Sequence, residues 1–392
     1  MGVEAAINYD DLRRMARRRL PRIAFDFIEG GVDGEEGLAR NFAAFSAVGL
    51  VPKYMVEVDT INAETSLFGR TYGQPFGIAP TGAAALFRAG ADLMLARAAK
   101  AANIPFIMSG ASTASMEDLA AIAPDHGWYQ LYLARDRGIS DDMVRRADAS
   151  GLPVLVLTVD VPGQANRERN RRNGFSRPLR PSVSATAEAL LHPGWLYDYA
   201  MKPAMTAPNC AKYATAGASE AQVLEFMQSQ FPTSATWEDV ARIRKLWPRA
   251  FVIKGIMHPD DARRAAAMGV DGLMVSNHGA RQLDRAPSPI EVLPAIRDAV
   301  GDTVTLMLDS GIRRGADIVA AHCLGAKFVF VGRWTLYGVT AGAEAGAHHA
   351  VGMIGREVEM VMRQMGVPTM HSLGPDFLMW NDSEDLKRNR RP

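Results

Sequence analysis

Short apolar runs, many of them β-branched or aromatic, recur along the chain at Phe76–Ala79, Ile104–Met108, Trp128–Leu131, Val154–Val159, Phe251–Ile253, Gly272–Val275, Val304–Leu308 and Phe328–Val331. Runs without polar alternation predict strands buried on both faces. Between them lie Ala- and Arg-rich amphipathic segments, which predict helices at Ala91–Ala102, Ser115–Ala123, Asp260–Met268 and Gly315–Leu324. Start and stop signals agree. Ser115-x-x-Asp118 and Thr236-x-x-Asp239 have the spacing of capping boxes, Pro259 suits a first helical position, and Gly269 and Gly325 stand where a left-handed stop is needed.

Eight alternations of strand and helix predict an α/β fold with a parallel sheet closed as a (β/α)₈ TIM barrel over about residues 76–365, within a single domain of residues 1–392. The alternative, an open doubly wound sheet, normally carries a Gly-rich dinucleotide turn, and no G-x-G-x-x-G occurs. Two features go beyond a bare barrel. The first is an N-terminal helical extension: a helix over Asp11–Arg19, ended by Pro21, and another before Gly30-Gly31, which cap the barrel's bottom or reach over its mouth. The second is a long loop after strand four, about residues 161–235. It opens with six arginines (Arg167, Arg169, Arg171, Arg172, Arg177, Arg180), and helical patterning resumes near Glu220. That loop leaves the C-terminal face, where barrel enzymes carry their chemistry.

Composition narrows the classes. With 48% hydrophobic and 22% charged residues, the 392-residue chain is too apolar for disorder. Forty-four basic against 43 acidic side chains leave a net charge of +1, which argues against a nucleic-acid partner. Cys210 and Cys323 form no CxxC, so neither a zinc site nor a disulfide framework is indicated, and a reducing, cytoplasmic location is expected. No apolar run has transmembrane length, and the N-terminus lacks a signal-peptide pattern. HExxH, Walker and GxSxG motifs are absent.

Every predicted strand ends in polar or glycine residues: Pro80-Thr81-Gly82, Ser109, Gln130 with Tyr132, Thr158-Val159-Asp160, Lys254-Gly255, Ser276-Asn277-His278, Asp309-Ser310-Gly311 and Gly332-Arg333. After strands seven and eight, Gly311, Arg313 and Arg333 make a candidate phosphate site, with solvent-facing arginines on glycine turns as the alternative. His278 can act as a general base, Asp160 can orient it, Arg281 can hold an anionic substrate beside it, and Lys254 brings positive charge to the mouth.

The string Ser276-Asn277-His278-Gly279-Ala280-Arg281-Gln282-Leu283-Asp284 resembles the signature of FMN-dependent L-2-hydroxy acid oxidases and dehydrogenases. Leu20-Pro21, Pro80-Thr81-Gly82, Gln130-Leu131-Tyr132, Thr158-Val159-Asp160, Lys254-Gly255, Arg313-Arg314-Gly315 and Gly332-Arg333 extend the resemblance over nearly the whole chain. It implies FMN as cofactor and conversion of a 2-hydroxy acid to the 2-keto acid. His278 is implied as the base at the substrate's α-carbon or hydroxyl, paired with Asp160. Arg281 and Arg167 hold the carboxylate, and Tyr132 hydrogen-bonds the substrate. Lys254 faces the flavin N1/O2 edge. Pro80, Thr81, Gly82, Ser109, Gln130, Thr158 and Ser276 line the isoalloxazine, while Asp309, Ser310, Gly311, Ile312, Arg313, Gly332 and Arg333 take the ribityl chain and phosphate.

Two positions depart from the family pattern. Phe25-Asp26-Phe27 replaces the usual Tyr-Asp-Tyr, so Phe27 has no hydroxyl for the substrate, and Ala280 stands where glycine is common. Gly82, His192-Pro193-x-Trp195, Leu246-Trp247-Pro248 and Ser372-Leu373-x-Pro375-Asp376 are similar to the mandelate-dehydrogenase branch. That similarity implies a bulky or aromatic substrate, a homotetramer and peripheral contact with the inner face of a membrane. The contact would run through Trp195, Leu196, Tyr197, Tyr199, Met201 and Met205, with Lys202 and Lys212 nearby; the alternative for this loop is an active-site cover or a tetramer contact. The acceptor that reoxidises the flavin, O₂ or a quinone, is not encoded in a motif. The alternatives are an oxidase acting on lactate- or glycolate-like acids and an FMN-barrel isomerase.

Overall fold

The computed structural model describes residues 2–176, 179, 182–202 and 206–380. Eight parallel strands close into a barrel in chain order: β1 (Phe76–Ile78), β2 (Phe106–Met108), β3 (Gly127–Leu131), β4 (Val154–Thr158), β5 (Ala250–Ile256), β6 (Gly272–Val275), β7 (Thr305–Asp309) and β8 (Phe328–Val331). Closure comes from β8 pairing with β1, Val329 opposite Phe76 and Val331 opposite Ile78. Nearly every strand residue is buried, because one face fills the barrel and the other packs under helices; hence the unbroken apolar runs. The helices at Ala91–Ala101, Met116–Ile122, Pro259–Ala267 and Gly315–Cys323 lie within two residues of the sequence expectation at each end. Both capping boxes form, and Gly269 and Gly325 adopt φ of +73° and +110°.

The N-terminal extension divides its work between the two ends. A hairpin of Thr65–Leu67 and Arg70–Tyr72 plugs the bottom, where Leu67 and Tyr72 join Trp128, Met307 and Phe328 in the barrel interior. The Trp128 indole donates to the Tyr72 hydroxyl at 3.4 Å. The mouth receives three helices, α1 (Tyr9–Arg19), α2 (Arg22–Glu29) and α3 (Glu36–Ser46). The third has no counterpart in the sequence expectation, for a physical reason: its N-cap, Glu35, sits in the left-handed region (φ +65°) with no side-chain cap, so no start signal is written.

The long interval after β4 is not an irregular loop. It folds into short helices at Glu168–Arg172, Val183–Ala189, Pro193–Met201 and Pro208–Ala211, followed by Glu220–Gln230 and Trp237–Leu246. The first four are too short for a periodic signal. The expected membrane-facing set is corrected in part: Trp195 and Tyr199 turn inward. Trp195 is buried, donates to the Leu86 carbonyl at 2.7 Å and stacks on Tyr199 at 5.0 Å. Asp198, between them, pairs with Arg19 and Arg88. Val183, Leu190, Leu191, Tyr197 and Met201 face outward. Arg177, Arg180 and Met205 lie outside the described residues.

Candidate active site

The chemistry-bearing side chains meet at the C-terminal end of the barrel. Lys254, within β5, is 3% exposed, and its ammonium donates to the Ser276 hydroxyl at 2.8 Å. Two carboxylates flank it, Asp309 Oδ2 at 3.3 Å and Asp160 Oδ2 at 3.5 Å. The second oxygen of Asp160 lies 2.8 Å from His278 Nδ1. Gly255 makes this arrangement possible. It adopts φ +107°, and a Cβ there would stand 2.5 Å from the Asp160 Cβ.

Local backbone strain presents His278. His278, Gly279 and Ala280 form three consecutive left-handed residues, with φ of +57°, +66° and +59°. Each non-glycine member costs about 1–2 kcal/mol. The turn is held from outside: Ala280 N donates to Asn277 Oδ1 at 3.1 Å, Gly279 N to Ser310 Oγ at 2.8 Å and His278 N to Ser276 Oγ at 3.0 Å. Asn277 is itself locked to Asn41 of α3 by two amide hydrogen bonds, at 2.7 and 3.1 Å. An unheralded helix therefore braces the turn that carries His278.

The electrostatics set protonation states. Burial pulls the His278 pKa below its ordinary 6.5, an effect larger than the opposing pull of Asp160. The imidazole is thus neutral near pH 7, with Nδ1 committed to Asp160 and Nε2 left for a substrate proton. Burial opposes the charge on Asp160, but His278 and Lys254 outweigh it and bring the carboxyl down to about 2. Burial also opposes the Lys254 charge, yet Asp160 and Asp309 hold its pKa above the ordinary lysine value.

A cavity of about 490 Å³ opens over these groups. Pro80, Thr81, Gly82, Ser109, Thr158, Lys254, Asp309, Ser310, Gly311, Ile312, Arg313, Gly332 and Arg333 line it, together with Phe27, Tyr132, Arg167, His278 and Arg281. Gln130, Asp160 and Ser276 stand behind the wall. Gln130 Oε1 accepts from Ser109 Oγ at 3.3 Å and Gly110 N at 3.1 Å. The Gln130 amide nitrogen and the Thr158 hydroxyl are buried with no hydrogen-bond partner among the described residues. Buried donors left open beside a cavity fit a group with a polar edge.

The arginines converge on the end of α2. Arg281 donates to the Gly30 and Ile28 carbonyls at 2.7 and 3.4 Å, and Arg333 donates to the same two at 3.0 and 2.9 Å. These are carbonyls at the negative end of a helix, a natural seat for cations. Arg167 binds the Arg281 carbonyl at 3.3 Å and Gln282 Oε1 at 3.0 Å. Burial lowers the pKa of both Arg167 and Arg333, a penalty that the attraction of a bound anion would offset.

Phe27 presents its ring to the Arg281 guanidinium at 5.2 Å. It also stacks on Phe175 at 4.5 Å and, more distantly, on Phe87 at 6.0 Å. Phe87, Phe175, Met227 and Phe231 line the same cavity and were not singled out from sequence; their scattered positions form no pattern. Gly82 has a packing role as well. A Cβ there would lie 3.1 Å from the Ala111 Cβ, so glycine lets the loops after β1 and β2 approach.

The family model for FMN-dependent dehydrogenases matches residues 16–380. The chain belongs to the FMN-dependent dehydrogenase family. Among its relatives, a putative L-lactate dehydrogenase of Mycobacterium tuberculosis is 40% identical over 372 residues, covering 95% of this chain and 88% of that protein. The (S)-mandelate dehydrogenase of Pseudomonas putida is 38% identical over 372 residues, covering 95% and 93%. The crystal structure of the monotopic membrane protein (S)-mandelate dehydrogenase superposes with a TM-score of 0.92 at 36% identity, covering 96% of this chain and all of that one. As a member of this family, the chain is an oxidoreductase that uses FMN to oxidise a 2-hydroxy acid, which removes the isomerase alternative. Among the described residues, no group of three or more His, Cys, Asp or Glu could hold a metal, and no helix is long and apolar enough to cross a membrane.

Proposed function

We propose that the chain oxidises an L-2-hydroxy acid with an aromatic or bulky side chain, of the mandelate kind. The carrying observation is the apolar box of Phe27, Phe87, Phe175, Met227 and Phe231 in the same cavity as two arginines and His278, which Asp160 holds from behind the wall. In this reading Arg281 and Arg167 hold the substrate carboxylate and Tyr132 hydrogen-bonds the substrate. The Nε2 atom of His278 then takes a proton from its α-carbon or hydroxyl. Asp160 keeps Nδ1 protonated and stabilises the imidazolium that results. Bound FMN would supply the two-electron acceptor. Lys254 would hold its N1/O2 edge; Pro80, Thr81, Gly82, Ser109, Gln130, Thr158 and Ser276 its ring system; and Asp309–Arg313 with Gly332-Arg333 its ribityl chain and phosphate. The polar donors left open at Gln130 and Thr158 support that placement.

Substrate preference separates this reading from a lactate-like one, which the 40%-identical putative L-lactate dehydrogenase favours. Burying a phenyl ring against the box contributes about 25 cal/mol per Å² of apolar surface. Mandelate should therefore exceed both lactate and glycolate in kcat/KM. Phe27→Tyr should shift the ratio toward the small acids, because it restores a polar contact where the ring now offers only apolar surface. A wild type that prefers lactate or glycolate would mean that the box does not receive the substrate's side chain.

We also propose that the segment after β4 rests on a membrane surface. Val183, Leu190, Leu191, Tyr197 and Met201 are exposed on two short helices and the turn between them, and Trp195 and Asp198 pin the second helix to the body of the protein. Replacing Leu190, Leu191, Tyr197 and Met201 by serine should reduce sedimentation with liposomes while the flavin stays bound. Liposome binding unchanged in that variant would place the membrane contact elsewhere; no binding by the wild type would remove it.

A further inference from the structure

Arg313, after β7, is held in an unusual way for a cation at a cavity wall. Its guanidinium carbon lies 4.5 Å from the ring centroid of Tyr9 and 4.4 Å from that of Phe42. The two rings come from α1 and α3, both outside the barrel. The only side-chain hydrogen bond of Arg313 among the described residues runs from Nη1 to its own neighbour's carbonyl, Ile312 O, at 2.7 Å. Its Nε is buried without a partner among them. Arg281 and Arg333, by contrast, are held by the carbonyls of a distant segment, the end of α2.

The difference has a chemical meaning. A carboxylate partner would neutralise the guanidinium and occupy its N–H edge. Aromatic faces grip the plane of the group while leaving both its charge and its in-plane donors for another acceptor. The Tyr9 ring is itself fixed. Tyr9 is 8% exposed and packs edge-on against Tyr337 at 5.5 Å and tilted against Trp334 at 5.8 Å. Phe42 rides on α3, whose Phe45 covers Gly311: a Cβ at Gly311 would lie 2.7 Å from the Phe45 ring. Helix α3 thus packs directly on the Asp309–Arg313 segment.

We infer that Tyr9 and Phe42 are positioning residues for the cofactor's phosphate: the N-terminal helices sandwich Arg313 so that its free edge meets the phosphate monoester of FMN. The inference rests on the assignment of Arg313 to the phosphate made above. It makes the discrimination between FMN and riboflavin, which lacks the phosphate, depend on two rings that need not touch the flavin.

The test is flavin affinity, measured by fluorescence quenching when the deflavinated full-length protein is titrated with FMN and, separately, with riboflavin. Tyr9→Leu and Phe42→Leu should each weaken FMN binding about three- to thirtyfold, the range of one cation–π contact, and leave riboflavin binding unchanged. Tyr9→Phe, which keeps the ring, should retain the wild-type FMN-to-riboflavin ratio. Phe42 is half-exposed, so Phe42→Leu keeps the test decisive if Tyr9→Leu does not fold. Parallel weakening of both flavins, or unchanged FMN affinity, would overturn the inference and leave the rings as packing. Arg313→Met separates the two levels. If it collapses the ratio while the ring variants do not, the positioning role falls alone; if it leaves the ratio intact, the phosphate assignment falls and takes the positioning role with it.

Discussion

Replacing His278 by glutamine should reduce flavin reduction by a 2-hydroxy acid at least 10²–10⁴-fold, the usual contribution of a positioned general base, while FMN remains bound. Glutamine can still hydrogen-bond Asp160, so the variant removes the proton acceptor with little change to the wall of the site. The pH profile gives the same residue a second reading. Burial holds the folded pKa of His278 below 6.5, so the neutral, proton-accepting form predominates above that value and is lost as pH falls through it. In the wild type the acid limb of kcat/KM should be centred below pH 6.5, its slope approaching tenfold per pH unit. The limb should be missing from the residual activity of His278→Gln. Lys254, whose pKa is raised, should contribute no break near neutrality. Anaerobic mixing with substrate, followed by flavin absorbance, measures all of this. Bleaching at the wild-type rate in the variant would remove His278 from the proton transfer, and an acid limb centred above 6.5 would mean that the Asp160 charge outweighs desolvation.

The barrel and the polar ends of its strands were legible because each is written locally. Buried parallel strands demand apolar runs, and catalytic groups of a barrel sit where those runs stop. Thr158-Val159-Asp160, Lys254-Gly255 and Ser276–His278 could be read in this way one strand at a time, and the fold then brings them together. What escaped reading depends on contacts between distant segments. Helix α3 begins at a left-handed Glu35 and carries no cap, yet its Asn41 locks Asn277 beneath the His278 turn. Phe175 lies in a stretch with no periodicity and becomes meaningful only when stacked on Phe27, almost 150 residues earlier. Trp195 looked like a surface anchor by composition, but its indole N–H is spent on the Leu86 carbonyl inside the protein. Composition distinguishes an aromatic from an aliphatic residue; it does not say which way the ring turns.

Arginine-to-methionine replacement at the mouth should produce the next largest loss, and its pattern across substrates is the diagnostic part. A charge-assisted hydrogen bond is worth about 1.5–3 kcal/mol, so Arg281→Met or Arg167→Met should each lower kcat/KM for a 2-hydroxy acid roughly ten- to hundredfold. The neutral methyl ester of the same acid offers no carboxylate charge, and its rate should fall much less. Arg281 also has a structural duty at the end of α2, but Arg333 donates to the same Ile28 and Gly30 carbonyls and remains in place. The variant therefore keeps partners for those carbonyls, and its thermal unfolding should stay close to that of the wild type. Arg281→Lys refines the argument. Lysine keeps the charge but loses the planar fork and the flat contact with the Phe27 ring now seen at 5.2 Å. It should recover part of the acid-over-ester selectivity without recovering the full rate. Equal losses for acid and ester in the methionine variants would mean that the arginines act by holding the mouth together. The carboxylate would then have to be held by other groups in the cavity.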